Sequence, residues 1–269
     1  MANSAYASGF NTDALFVAAK AATVFAAHET SLFLGGGMIP VVNAPNGLLQ
    51  VPELAAVTAT TLTAEAAPGV DLDSVLAADT KNTIQCDIYA ARSVLRDLGA
   101  IDPAEIGRVL GNAVSKAFDQ AVVTALGNLT ASTSDSDPVT LDAIFDAVAQ
   151  IRGNGETGQL MGIVSAAEAA NLMKDIGSTA YAGGDFQSEA MRNGFLGTVA
   201  GVRMFQSSYI SGANKGFIFA GDAARIAMQK NVDIEVARRP EAVGQDIVAS
   251  LHAGVGVIDA GRGVKLVNV

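Results

Sequence analysis

Apolar residues recur every three or four positions through Ile106, Val109, Leu110, Ala113, Val114, Ala117, Phe118, Ala121, Val122, Ala125 and Leu126. That period predicts one long amphipathic helix with the whole stripe facing inward. Asp102-Pro103-Ala104-Glu105 supplies an N-cap, a proline at the first helical position and a glutamate placed for a capping box. Gly127 stands where such a helix ends. At 1.5 Å per residue the helix is a rod of about 36 Å, which reads as a structural spine. An earlier stripe (Leu15, Phe16, Ala19, Ala22, Thr23, Ala26) predicts a helix from Thr12 or Asp13 to about Glu29. Thr140 caps a third helix, expected to turn Leu141, Ile144, Phe145, Val148 and Ile151 inward. Ser165 and Glu168 make a capping box for a fourth, ending near Gly177.

Residues 48–95 follow another pattern. Leu48 to Leu54 and Val57 to Thr63 are rich in Leu, Val and Thr, and Asn82 to Ala91 alternates through Ile84, Cys86 and Ile88. Between them, Ala64 to Thr80 holds Pro68-Gly69 and the acids Glu65, Asp71, Asp73 and Asp79. The pattern predicts two extended arms joined by a long acidic tip. Such a ribbon has too few apolar residues to bury itself and must lean on something else. Further strands are expected at Leu160–Val164, Val199–Phe205, Gly216–Ala220, Arg225–Gln229, Val232–Val236, Gln245–Ile258 and Val264–Val269. In the Gln245–Ile258 strand, Ile247, Ala249, Leu251, Ala253, Val255 and Val257 share one face. Ser31–Pro45 and Asn128–Asp137 read as connections, and Tyr181–Asn193 as a polar loop. Helices and strands mix with no βαβ period and no internal repeat, so the fold class is α+β.

Composition narrows the function classes. Of 269 residues, half are hydrophobic and 16% charged, enough for a sizeable core. A mean hydropathy of +0.33 is high for a monomer and predicts apolar surface in subunit contacts. The net charge is -10, and no basic run offers a nucleic-acid surface. Acidity is concentrated early, because residues 1–150 carry 6 basic and 16 acidic groups and the remainder carries 11 of each. One cysteine, Cys86, cannot form an internal disulfide, and with only His28 and His252 there is no zinc-site spacing. Met1 to Phe10 lacks the basic and apolar regions of a secretory signal, and Ala14 to Ala27 is too short to span a bilayer. A soluble protein made in a reducing compartment is expected.

The search for chemistry comes out empty. Gly35-Gly36-Gly37 lacks the Lys-Ser/Thr ending of a phosphate loop. Asp71 with Asp73, and Asp135 with Asp137, sit in polar loops without an apolar pocket to raise a carboxyl pKa. No nucleophile elbow is present. No catalytic, cofactor-binding or metal-ligating residues are expected, and Arg238-Arg239 before Pro240 is the one paired basic site.

The order of parts then carries a resemblance. The long helix, with Ala117-Phe118-Asp119-Gln120-Ala121 at its centre, resembles the spine helix of the HK97-fold major capsid proteins of tailed bacteriophages. The arms at 48–63 and 82–95 resemble that family's E-loop. Gly194 to Ser208, Phe217 to Ala227 around Gly221-Asp222, and Gln245 to Val269 resemble its A-domain segment, its strand–Gly-Asp–strand hairpin and its closing strands. The resemblance implies an N-terminal arm and connection over 1–47, an E-loop over 48–95, an A-domain over 139–235, and a P-domain from 96–138 with 236–269. It implies an icosahedral shell around a phage dsDNA genome, built from pentamers and hexamers in the bacterial cytoplasm. No cofactor, membrane contact or sequence-specific DNA binding is implied. Glu65, Pro68, Gly69, Asp71, Asp73, Lys81, Arg92, Arg238 and Arg239 become the candidate assembly residues. With the chain starting at Met1 and no long N-terminal extension, a separate scaffolding protein is expected, along with a portal and room for a decoration protein. Lys81 is the only lysine in the hairpin and the tip has none, so a non-covalent shell is expected. The alternatives are an encapsulin-like compartment of the same fold and a small α+β enzyme.

Overall fold

The computed structural model describes residues 19–27, 31–34, 37–54, 79–96, 103–133, 138–178 and 195–267. Four helices are found among them: α1 (19–27), α2 (Pro103–Leu126), α3 (Leu141–Gly153) and α4 (Ala166–Ser178). The strands are β1 (Val41–Asn43), β2 (Leu48–Leu54), β3 (Asp79–Gln85), β4 (Asp87–Arg96), β5 (Ala131–Thr133), β6 (Leu160–Ser165), β7 (Phe195–Val199), β8 (Val202–Ser207), β9 (Asn214–Ala220), β10 (Ala224–Arg239), β11 (Gly244–Val257) and β12 (Gly263–Val267).

These strands make three sheets. One has four strands in the order β1-β10-β11-β4, one has six in the order β5-β12-β9-β6-β8-β7, and β2 pairs with β3 alone. The chain passes between the two large sheets three times: from β4 through α2 to β5, directly at β9 to β10, and directly again at β11 to β12.

α2 lies on the four-stranded sheet. Ile106, Leu110, Val114, Phe118, Val122 and Leu126 pack against Ile247, Ala249, Leu251 and Ala253, the odd-numbered face of β11. The period-2 reading of β11 therefore selects the buried side correctly. Phe118 is fully buried and meets Tyr89 of β4 edge-on, with ring centroids 5.7 Å apart. At its end, the Gly127 N–H reaches back to the carbonyls of Val123 and Thr124. Asp102, the expected N-cap, lies outside the described residues.

α3 and α4 cover the six-stranded sheet, around a second core of Ile144, Ala147, Ile151, Leu160, Val202 and Ile218. The Thr140 hydroxyl accepts from the Ala143 N–H, as its capping role predicts. Two carboxylates of α4 complete that helix start: Glu168 accepts from the Val139 N–H at 2.8 Å and Asp175 from Leu141 at 3.0 Å. Glu168 takes only half of its expected box. Its N–H donates to Ser165, but its carboxylate serves Val139 and Asn171, with Lys215 at 3.7 Å.

Several sequence readings need correcting. Val109, Ala113 and Ala117 are exposed because a second line on α2 takes the inward side, and Phe145 is exposed on α3, where Ala143, Ile144, Ala147 and Ile151 take it. Val199–Phe205 is not one strand. Ala200 at φ 52 and Gly201 at φ 78 turn the chain between β7 and β8. The two strands expected at 225–229 and 232–236 are one, β10, which absorbs register shifts at Met228/Lys230 and Lys230/Asp233. The connection at 31–45 contains β1, parallel to β10, and the linker at 128–137 contains β5, parallel to β12. A crossover exists too: β6 runs parallel to β8, with α4 between them in the chain. The second hairpin arm divides at Cys86, since β3 pairs with β2 while β4 pairs with β11.

Candidate assembly site

The first assembly element is the segment that enters from the N-terminal side. α1 lies in a groove on α2 made by residues spaced four apart: Gly107, Gly111 and Ser115, then Asp119. A Cβ on Gly107 would strike the Ala19 carbonyl, and one on Gly111 the Thr23 carbonyl. Ser115 Oγ donates to the Ala27 carbonyl at 3.1 Å. Asp119 ends the groove and is 2% exposed. It accepts from Ser31 Oγ at 2.6 Å and from the Leu32 N–H at 3.0 Å. Burial pushes its carboxyl above the usual range, while Ser31 and the backbone N–H groups of Leu32 and Phe33 pull the other way. Hydrogen bonds to a charged group contribute about 1.5–3 kcal/mol each, so this side chain fixes the turn that follows α1.

A second tie holds α1 to the sheet. Lys20 Nζ lies 2.8 Å from Asp233 of β10, and Lys230 approaches the same carboxylate at 3.1 Å. The Lys20 hydrogen bond, followed by Lys230, pulls the Asp233 pKa down to about 2. A depressed folded-state pKa means this contribution is complete above about pH 4 and disappears as pH falls through about 2. Asp119 has the opposite sign. Its raised pKa makes the charged form costly, so protonation on acidification relieves the fold. Lys20→Ala is expected to return the Asp233 titration toward 3.8 and leave that of Asp119 in place. Carboxyl NMR titration reads both, and an unmoved Asp233 midpoint would refute the tie.

The second element is the base of the β2–β3 hairpin. It crosses the even-numbered face of β11 at two glycines. A Cβ on Gly254 would strike the Gln85 carbonyl, and one on Gly256 would come within 2.7 Å of Ile84. Asn82 Nδ2 donates to the Ile258 carbonyl at 2.9 Å. Cys86 sits half-buried at this crossing, beside Ala44, Ile84 and Ala227, and burial raises its thiol pKa.

The predicted assembly residues separate into groups. Glu65, Pro68, Gly69, Asp71 and Asp73 lie outside the described residues. Lys81 is exposed on β3, opposite Pro52. Arg92 and Arg239 share one face at one end of the four-stranded sheet, beside Asp246, where β10 and β11 meet through the turn Pro240–Ala242, and Arg238 is at the same end on the opposite face. Arg92 grips Asp246 with both Nε and Nη2, and Arg239 approaches Glu241 at 3.9 Å. Val243 closes that turn at φ 47 and is 63% exposed, an uncommon backbone state for a β-branched residue. The sequence reading missed Gly107, Gly111, Ser115 and Asp119, although their four-residue spacing was there to see.

Residues 96–266 match the family described as phage capsid protein. The chain belongs to the phage capsid protein family. The solved structures it resembles agree. The capsid of cyanophage P-SCSP1u matches with TM-score 0.67 at 16% identity, covering 86% of each chain. The mature capsid of bacteriophage PhiM1 matches at 0.61 and 17%, covering 87% of each. The virus-like particle from Pyrococcus furiosus matches at 0.66 and 14%, covering 93% of this chain and 98% of that one. Curated proteins give no sequence match.

This is therefore a structural protein of a phage capsid, with the HK97-like fold of the solved capsid structures. The residues the sequence reading missed seat α1 and the turn at 31–34 on the long helix. Among the described residues no cluster of His, Cys, Asp or Glu could hold a metal, and no helix is long and apolar enough to cross a membrane.

Proposed function

We propose that this capsid protein tiles a shell of pentamers and hexamers around double-stranded DNA, with the 48–95 hairpin laid over neighbouring copies; the expected reach of the 1–30 arm does not hold for residues 19–27, which stay on their own subunit's α2. The observation that carries this is the isolation of β2 and β3. Among the described residues they pair only with each other, and Leu48 is left 43% exposed. A two-stranded ribbon is marginal in water, and a neighbour's surface supplies the missing burial. The tip residues Glu65, Asp71 and Asp73, turning at Pro68-Gly69, are acidic and meet a neighbour's sheet end at Arg92, Arg238 and Arg239, while Lys81 flanks the ribbon. Opposite charge steers and registers such contacts more than it tightens them.

The shell is non-covalent, forms on a separate scaffolding protein and closes on a portal. The arm over 1–47, the E-loop, the A-domain over 139–235 and the P-domain from 96–138 with 236–269 are its working units. The net charge of -10 suits a container that does not grip its cargo, since lysines and arginines facing DNA would bind phosphates and hinder filling. Replacing residues 64–78 by a short Gly-Ser turn is expected to leave a folded chain that forms no stable shells. Circular dichroism and negative-stain microscopy of the fast-sedimenting fraction test this together. Normal, stable shells from the shortened chain would overturn the hairpin's role.

A further inference from the structure

Of the three passages between the two large sheets, the two that run directly from strand to strand share one small node. At the first, Gly221, Asp222 and Ala223 lead from β9 into β10. At the second, residues 258–262 lead from β11 into β12. The crossings are bonded to each other, because the N–H groups of Ile258 and Asp259 both donate to the buried Ala223 carbonyl, at 2.8 and 3.2 Å. One side chain then spans everything at the node. Arg262 Nε donates to Asp259 at 2.9 Å, and its Nη1 lies 3.2 Å from Glu156 and 3.8 Å from Asp222. Glu156 belongs to the loop between α3 and β6, so it rides with the six-stranded sheet. Arg225, the second residue of β10, holds Asp222 at 2.8 Å from the other side. Asn154 adds a bond to the Gly261 carbonyl at 2.7 Å. The hairpin joins the same node through Asn82 and the Ile258 carbonyl.

We infer that Arg262 is the positioning residue that sets the angle between the two sheets, and with it the tilt each subunit brings to the shell. This rests on the shell reading. The two direct crossings run side by side at the edge of the core that the sheets share, where Ile163, Phe217 and Phe219 join Ile226 and Leu126, and the node braces them there. A guanidinium is a flat, rigid fork and can hold three carboxylates in fixed directions, which a lysine's point charge cannot. Arg262 is 43% exposed and Asp222 60%, so the clamp sits in solvent and can be re-formed at a slightly different angle. A chain that must occupy both five-fold and six-fold positions needs such an adjustable stop. The hairpin base then follows the sheet angle through Asn82.

Hydrogen exchange on the full chain, wild type against Arg262→Ala, tests the clamp directly. The amides of Ile258 and Asp259 are the reporters, and about tenfold faster exchange confined to the two crossings is expected. Arg262→Lys should behave like the alanine variant. Glu156→Gln and Asp222→Asn each remove one arm of the fork and cover the case in which Arg262→Ala fails to fold. In particles, these variants should widen the distribution of shell diameters relative to wild type. Unchanged exchange at Ile258 and Asp259 overturns the clamp, as does faster exchange spread evenly through both sheets. Native diameters despite a loosened node overturn its role in shell geometry. Wild-type chains that never form shells sink the shell reading alone, and the exchange comparison still decides the clamp.

Discussion

Gly111→Leu should unseat α1 from α2, lower stability by about 3 kcal/mol and abolish shell formation. The added side chain meets the backbone of Thr23, not a movable side chain. Neither helix can relax around it, since α2 is held on its other side by Leu110, Val114 and Phe118 against the sheet. Once α1 lifts, Lys20 leaves Asp233 and the Ser115 bond to Ala27 is lost. Asp119 keeps its partners in 31–34 only if that turn holds by itself. Thermal unfolding and sedimentation read the two effects. A variant with wild-type melting and particles would show that α1 contributes nothing to the fold or the shell.

The second large effect is expected from Gly254→Val. Its side chain would project on the face where Gln85 crosses, opposite the core face of Leu251 and Ala253. The core therefore survives, and the hairpin base must rise. That costs the packing of Ile84 against Gly256 and the Asn82 bond to Ile258, about 2 kcal/mol in all. Folded monomer with greatly reduced shell yield is the expected outcome. An equal loss of folded protein and particles would instead place Gly254 in the core's own stability. Gly256→Val should act in the same direction but less severely, because it meets the flexible Ile84 side chain.

Long periodic elements were legible in the sequence. α2 has eleven apolar positions at helical spacing, and its end at Leu126 matches the place set by Gly127. The β11 alternation survives because one face must pack under α2. The errors have physical causes. Hydrophobicity alone placed Val109, Ala113 and Ala117 inward, while the buried neighbouring line is Gly, Gly, Ser and Asp. A groove for another helix requires small residues, which an apolar count reads as neutral. Three-residue strands such as β1 and β5 carry no period at all and exist only because β10 and β12 offer an edge. The bulges of β10 made one long strand look like two. Of the assembly residues, the arginines were legible as charges, but the approach of Arg92 and Arg239 to Asp246 depends on pairings between distant strands.

The four-stranded sheet has β11 at its interior, between β10 and β4, and the six-stranded sheet has β12 between β5 and β9. Both strands come from residues 244–267. During synthesis, β4 and α2 therefore wait without their main partner until almost the whole chain has left the ribosome. A chain cut short by even a few dozen residues lacks the middle of one sheet and an inner strand of the other. It cannot present a finished surface to its neighbours. The order of strands thus acts as a proofreading step: only finished chains are admitted to a structure in which one defective tile would weaken the wall.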